Sequence, residues 1–331
     1  MQHATHALAL AMAAGLLMQP AQAEEARLAA AADNRATQVR INCANEPMAL
    51  KKAVEKKVWA DEKVKFVISG ECQGPLRIDR HGVEIISDPT RPGTVRVSQP
   101  TGDQSAILVQ SGSARLANFH INVPLGMAAV TAQANSSVEI DRITTNAKAD
   151  WNVPLAQFNV TDSSSLFLAN LNSAPDGNDV LVIGASSAEF KAGNELITLD
   201  VRDTSMAKSS APNRFKAVQT SANGYFLADH KTRVDALAIW GKSSVEITRE
   251  SSVGKLDMGG QTQFAAYGNS SVSGPYGIYG NVIIELNHSS ATEWYTVNNP
   301  HAMFIGNNAT VNEVFYPSWS WAGQGKQPNQ P

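Results

Sequence analysis

From about residue 128 onward, apolar and polar residues alternate in short runs, and each run meets a small polar turn before a second run begins. The phrase reads AAVTAQANSSVEIDRI from Ala128, FNVTDSSSLFLANL from Phe158 and VLVIGASSAEF from Val180. It returns as ALAIWGKSSVEI from Ala236, FAAYGNSSVSG from Phe264, VIIELNHSSATEW from Val282 and MFIGNNATVNEV from Met303. A period of two predicts strands with one buried face. Phe158/Val160, Leu166/Leu168, Val180/Val182, Val245/Ile247 and Ile284/Leu286 then point inward together. Helical periodicity is scarce beyond the first part of the chain, which excludes a helical fold.

The second residue of each turn serves as an anchor: Ser137, Ser165, Ser187, Ser244, Ser271 and Ser290, with Ala309 standing in last. Most neighbouring anchors lie about one solenoid repeat apart, and one strand-turn-strand unit recurring every ~20–30 residues predicts a solenoid. The long interval from Ser187 to Ser244 must hold two or three turns with a blurred phrase. One is LITLDVRDTSMA, which places Ser205 at an anchor position, and another lies near Gln219–Phe226. Asn135, Gly184, Asn269 and Asn307 precede the turns, where their tolerance of left-handed backbone suits a sharp corner. Stacked strands ~4.8 Å apart pair their backbone groups with the coils above and below. An antiparallel sandwich also has closely spaced strands, but it does not repeat one turn chemistry in phase.

The start of the chain has a different pattern. Ala7–Met18 is an apolar run, preceded by His3 and His6 and followed by Pro20 and Ala21-Gln22-Ala23. This predicts a secretory signal over 1–23, cleaved after Ala23, and a run too short to span a membrane. Residues 24–40 read as a flexible segment. Export to the periplasm or the extracellular space would place Cys43 and Cys72 where thiols pair, predicting a disulfide. Neither has a CxxC partner or a nearby His, which argues against zinc. Between them EPMALKKAVEKKVW carries Leu50, Val54 and Trp59 on one stripe, predicting a helix over about 46–59 that caps the open end of the solenoid. At the far end Phe315, Tyr316, Trp319 and Trp321 are placed to plug the stack, and 322–331 reads as a disordered tail.

A Cys, an amphipathic helix, a strand ending Ser69-Gly70-Glu71-Cys72, and then LRIDRHGVEII from Leu76 together resemble bacterial parallel β-helix proteins of the pectin-lyase-like superfamily. The match is detailed over about Ile41–Val97 and looser to about Val314. The resemblance implies an all-β, single-stranded, right-handed parallel β-helix over 41–321, and export. Its members include polysaccharide lyases, hydrolases and epimerases, so the fold alone assigns no chemistry.

Lys and Arg number 27 against 30 Asp and Glu, for a net charge of -3. A near-neutral, mixed surface argues against a nucleic-acid partner. Of the hydrolase motifs that the resemblance would imply (Asn-Thr-Asp, Asp-Asp, His-Gly and Arg-x-Lys on successive coils), Asn-Thr-Asp and Asp-Asp are missing. His81-Gly82 lies near the cap with no acidic partners before it and reads as a turn. Two stretches remain as catalytic candidates. APDGNDV holds Asp176 and Asp179, and ADHKTRVD holds Asp229, His230, Lys231, Arg233 and Asp235. The second falls where the phrase fades, from about Asp203 to Asp235, as an inserted loop on a rigid scaffold would. Asp176 stands as far before the anchor Ser187 as Arg233 stands before Ser244, and this equal phase places them on one face.

Asp176, Asp179, His230, Lys231 and Arg233 are the expected catalytic set if the chain is an enzyme, with Ca2+ to be expected for a lyase. Trp240, Trp294, Asp229 and Asp235 are the expected ligand-binding set, and Trp151, Tyr276 and Tyr279 are further aromatics able to stack on sugar rings. The rows Glu139/Glu189/Glu246 and Arg142/Arg249 read as a solvated face. With the enzymatic motifs missing, the sequence favours an exported β-helix that binds a polysaccharide or the cell-envelope surface without catalysis. A uronate-directed lyase or hydrolase, or a structural adhesin, are the alternatives.

Overall fold

Inward apolar residues stack coil upon coil. Val138 pairs in register with Leu166 and Leu166 with Ala188, and the row continues through Phe226, Val245 and Phe264 to Phe304. These side chains are buried in one continuous core. Phe190, Phe215 and Phe226 meet edge to face, with ring centroids 5.1 and 5.6 Å apart, a favoured aromatic geometry. The result is an all-β parallel β-solenoid of about 11 turns. The computed structural model describes residues 36–56, 63–99, 104–148, 155–171, 178–274, 276–293 and 301–322.

Each coil contributes strands to three ladders. The first begins with Thr37–Asn42 beside Val64–Gln73 and ends at Ala302–Val311. The second takes the end of Val64–Gln73, then Gly93–Arg96 and His120–Asn122. The third runs from Leu76–Ile78 through Ser105–Gln110, Ala128–Gln133, Phe158–Val160 and Asp179–Val182 to Arg233–Gly241. In the late coils strands continue round a corner: Leu256–Tyr267 pairs along its full length with Tyr276–Asn287.

Two corners are held by buried polar ladders. Where the third ladder turns into the first, the N–H of Ser136 donates to Ser164 Oγ (3.1 Å), that of Ser164 to Ser186 Oγ (3.3 Å) and that of Ser186 to Ser205 Oγ (3.2 Å). Where the first turns into the second, Asn194 N–H donates to Asn213 Oδ1 (2.9 Å) and Thr232 N–H to Ser251 Oγ (3.2 Å). Corner backbone cannot reach a strand partner, so a side chain supplies the acceptor that burial demands.

These corners correct the expected register. Ser137, Ser165 and Ser187 stack, and the column continues through Met206 and Tyr225 to Ser244. The long interval from Ser187 to Ser244 is therefore three coils of equal length, stepping through Met206 and Tyr225, with no inserted loop between Asp203 and Asp235. Ser205 sits just before its column position. Ser271 and Ser290 stack on Ser252, whereas Ser244 stacks on Gln263. The Ser-Ser turns therefore belong to two different corners, and Thr310 rather than Ala309 ends the second column. Both corners need a small buried hydroxyl, so both select the same letters.

The expected helix is observed over Ala49–Val54, with Leu50 and Val54 buried at i and i+4; residues 57–62, with Trp59, lie outside the described residues. Thr37–Asn42 is a strand, so the expected flexible segment is ordered from Thr37. Its earlier part, the signal over 1–23 and the tail beyond 322 lie outside the described residues. Cys43 and Cys72 form a disulfide.

The last strand departs from the parallel rule. Val314–Ala322 folds back antiparallel on Ala302–Val311 through Asn312 and Glu313, whose φ values of 46° and 69° make the mirror-image turn that suits a two-residue hairpin. Tyr316 and Trp319 pack on the core, with the Trp319 ring stacked on Phe304 at 6.5 Å, as expected of a plug. Phe315 is instead 59% exposed.

Candidate functional site

The charged stretch of residues 229–235 lies at a tight corner and divides into two networks. His230 and Lys231 both have positive φ, 53° and 62°, and their coil neighbours Arg249 and Glu250 share that conformation. Asp229 accepts from Thr248 Oγ1 (2.7 Å) and from the His230 N–H (2.8 Å), with Arg249 Nε at 3.6 Å. Burial pushes the Asp229 carboxyl up. The bonds from Thr248 and His230, with the Arg249 charge, outweigh that and hold it below the ordinary carboxylate range. Arg249 Nη1 lies 2.6 Å from His230 Nε2, and Lys231 pairs with Glu250 at 3.3 Å.

Beyond the corner, Arg233 stacks on Arg214 and Arg214 on Glu195. Asp235 accepts from Arg233 Nε (2.8 Å) and Arg214 Nη2 (3.0 Å). Burial raises the Asp235 carboxyl, and the two arginines more than reverse it. Both networks tie one coil to the next, and their charges are already matched.

Asp179 is elsewhere, on the outer side of the third ladder. It pairs in register with Thr198, and that column continues through Ala217 to Ala236. Three strand spacings, roughly 14 Å, separate it from the coil of Arg233. Burial raises its carboxyl above the usual range, partly offset by hydrogen bonds from Thr198. The structure does not bring Asp179 together with His230, Lys231 and Arg233. Asp176, Trp151 and Trp294 lie outside the described residues. Among the described residues no three His, Cys, Asp or Glu side chains are grouped as metal ligands would be.

Trp240 faces outward from the third ladder. Its indole lies across Gly259 of the next coil, so closely that a Cβ there would stand 2.2 Å from Trp240 Cζ3. The residue remains 37% exposed. Tyr279 follows in the same register column, 62% exposed. Tyr276 is half-buried, its hydroxyl donating to the Val272 and Thr292 carbonyls at 3.0 and 2.9 Å, and is not a platform.

Following that column toward the N-terminus reaches a cleft of about 520 Å3 on the outer side of the third ladder. Gln110, Gln133, Thr161 and Ile183 line it, beside an inner row of Leu108, Thr131, Asn159 and Leu181. Ser105 Oγ donates to Thr131 Oγ1 (2.8 Å), and Asn159 Oδ1 accepts from the Ala156 N–H (3.0 Å). Between cleft and aromatics, Asp200 is buried and paired with Arg202, and Asp200 Oδ1 has no partner among the described residues.

A second groove, of about 640 Å3, lies over the early strands of the first ladder. Arg115 bridges Glu84 (2.5 Å) and Glu139 (3.6 Å) there, and Lys191 sits 5.6 Å from the centre of the Phe167 ring. Arg115 is matched by its two glutamates, and Lys191 rests on the ring instead of on a carboxylate. Glu139, Glu189 and Glu246 do fall in one outward row, as expected of a solvated face.

Comparison with protein-family models, with curated proteins and with solved structures returns no match. What these findings define is the class, a parallel β-solenoid, and the site stands on its own geometry. Gly259, Arg202 and the lining of the cleft were missed from sequence. The spacing from Trp240 to Gly259, equal to one coil, is the mark that could have revealed the first.

Proposed function

We propose that this chain is an exported β-solenoid that binds a polysaccharide or similar hydroxyl-rich surface polymer on the outer side of the third ladder. The observation that carries the reading is Trp240 laid across Gly259 in line with Tyr279. Two exposed rings on a rigid sheet, two strand spacings or roughly 10 Å apart, suit the apolar C–H faces of successive sugar rings in an extended chain. The apolar run Ala7–Met18 and the Cys43–Cys72 disulfide support export. The resemblance of Ile41–Val97 to pectin-lyase-like proteins supports a polysaccharide as the polymer. Catalysis is not part of the proposal: the charged residues of the corner stabilise the stack, and Asp179 stands apart from them.

Affinity electrophoresis of the purified protein through gels containing different polysaccharides tests this. One or more polymers should retard the protein, and Trp240→Ala and Tyr279→Ala should each abolish most of the retardation without lowering the melting temperature. If both variants are retarded like the parent, the reading is wrong. Products carrying unsaturated ends or new reducing ends would establish an enzyme instead.

A further inference from the structure

We infer that the cleft at Gln110, Gln133 and Thr161 is the second half of the same binding track, and that the track takes an uncharged, polyhydroxylated chain, a neutral polysaccharide rather than a polyuronate. This inference rests on the polymer-binding reading above. One outward row joins the two places. Gln133 follows Gln110 in register, and Thr161 and Ile183 extend their strands beside it. The row then passes Arg202 and Ser221, whose N–H groups bond the coil before, and reaches Trp240, Gly259 and Tyr279. Five strand spacings, roughly 24 Å, separate Gln133 from Trp240 along the solenoid axis. An extended polymer lying on the aromatic pair and running parallel to the axis therefore enters the cleft.

The lining states the chemistry. Amides and hydroxyls of Gln104, Gln133, Asn159 and Thr161 face the cleft over an aliphatic floor that includes Leu181 and Ile183. Such a surface matches alternating hydroxyl and C–H groups. A carboxylate on every sugar would need cations. Among the described residues, the two rows that line the track offer Arg77 and Arg202. Arg77 donates to Gln110 Oε1 at 2.6 Å, and Arg202 is paired with buried Asp200. The remaining charge on the inner row is the carboxylate of Asp257, held by Lys255 at 3.0 Å. A polyuronate would meet one cation without a carboxylate partner, Arg77 at the far end of the cleft, and a path with no net positive charge, so most of its carboxylates would lie unmatched.

The test uses the full chain, neutral gluco-, xylo- and manno-oligosaccharides in a length series, and galacturonate oligomers of the same lengths. Binding is measured calorimetrically for the parent, Gln133→Ala and Ile183→Glu, with Trp240→Ala as the control for the aromatic pair. The inference expects a neutral series to bind and to tighten with length until the chain spans both places. It expects cleft variants to weaken long chains by about tenfold or more while leaving short ones unchanged, because the second contact acts through effective concentration. Both cleft variants change outward-facing positions, and unchanged melting temperatures confirm that they fold. If galacturonate oligomers bind more tightly than every neutral series, the neutral assignment fails while the polymer reading stands. If neutral chains bind but neither cleft variant weakens the long ones, the cleft is not part of the track. If no oligosaccharide binds, the polymer reading itself fails.

Discussion

Asn213 should be among the most costly positions at which to lose a side chain, and the structure allows the cost to be apportioned. Its Oδ1 accepts from the Asn194 N–H (2.9 Å) and from Asn194 Nδ2 (3.1 Å). Its own amide donates to the Phe190 carbonyl (3.2 Å), Ser209 Oγ (2.9 Å) and the Ala211 carbonyl (3.1 Å). Truncation to Ala removes all of these, but the losses are unequal. The Phe190 carbonyl keeps the Ser210 N–H, the Ala211 carbonyl keeps Thr232 Oγ1, and Ser209 Oγ keeps Thr232. The buried Asn194 N–H loses its acceptor, at about 1–3 kcal/mol. A small cavity adds to this, for a total of about 2–4 kcal/mol. Asn213→Thr places at this corner the residue that the next coil uses, Thr232, and should recover an acceptor and cost about 1 kcal/mol. Asn213→Asp keeps the acceptor but turns a carboxylate toward two carbonyls, and should cost more than Ala. Urea unfolding with an unchanged slope measures the order, and hydrogen exchange at the Asn194 amide locates it. Equal midpoints for the Thr and Ala variants would refute the argument. So would a loss of stability without faster exchange at Asn194, since it would place the cost in packing.

Three further outcomes are expected. Gly259→Ala puts a methyl where the Trp240 ring lies, so the indole swings away; stability should change by less than about 1 kcal/mol, since a side-chain tip absorbs the clash, while near-ultraviolet circular dichroism and polymer binding both change. Joint replacement of Cys43 and Cys72 by Ser opens a loop with a sequence separation of 29 residues and should cost about 3–4 kcal/mol, read by hydrogen exchange as local loosening around Val64–Gln73 with late coils untouched. The folded Asp179 carboxyl is raised above its ordinary 3.8 by burial, so the folded state holds this proton more tightly than the unfolded chain does. The associated stability is full below 3.8 and is lost as pH rises through the folded value. Asp179→Asn should therefore gain on the parent between acid and neutral pH, and parallel melting profiles would contradict this.

Much of the scaffold was legible because burial writes itself into a period of two. Phe158/Val160 and Val245/Ile247 announce their strands, and paired cysteines announce a closed loop. The register was less legible. Ser243-Ser244 and Ser270-Ser271 look identical, yet they occupy different corners, because a small buried hydroxyl suits either corner and the sequence does not display which one it fills. The phrase fades between Ser187 and Ser244 because Met206 and Tyr225 fill outward column positions, where no core constrains the residue type. The site was least legible. Trp240 could be singled out as an aromatic beside a strand, but its role depends on Gly259, and a glycine beneath a ring has no meaning until the coil length is known. The cleft is built from ordinary Gln, Asn and Thr residues whose significance lies in their being stacked.

The reversed strand Val314–Ala322 bears on how the molecule behaves at high local concentration. A parallel stack is a template: its last coil presents the same lattice of donors and acceptors that received every coil before it. Turning the chain back at Asn312 and Glu313 makes the two ends of the stack unlike each other. A second molecule arriving coil-first finds a strand running against its own, with Pro317 offering no N–H within it. The hairpin therefore breaks the parallel lattice at this edge, and growth by parallel stacking on it is disfavoured.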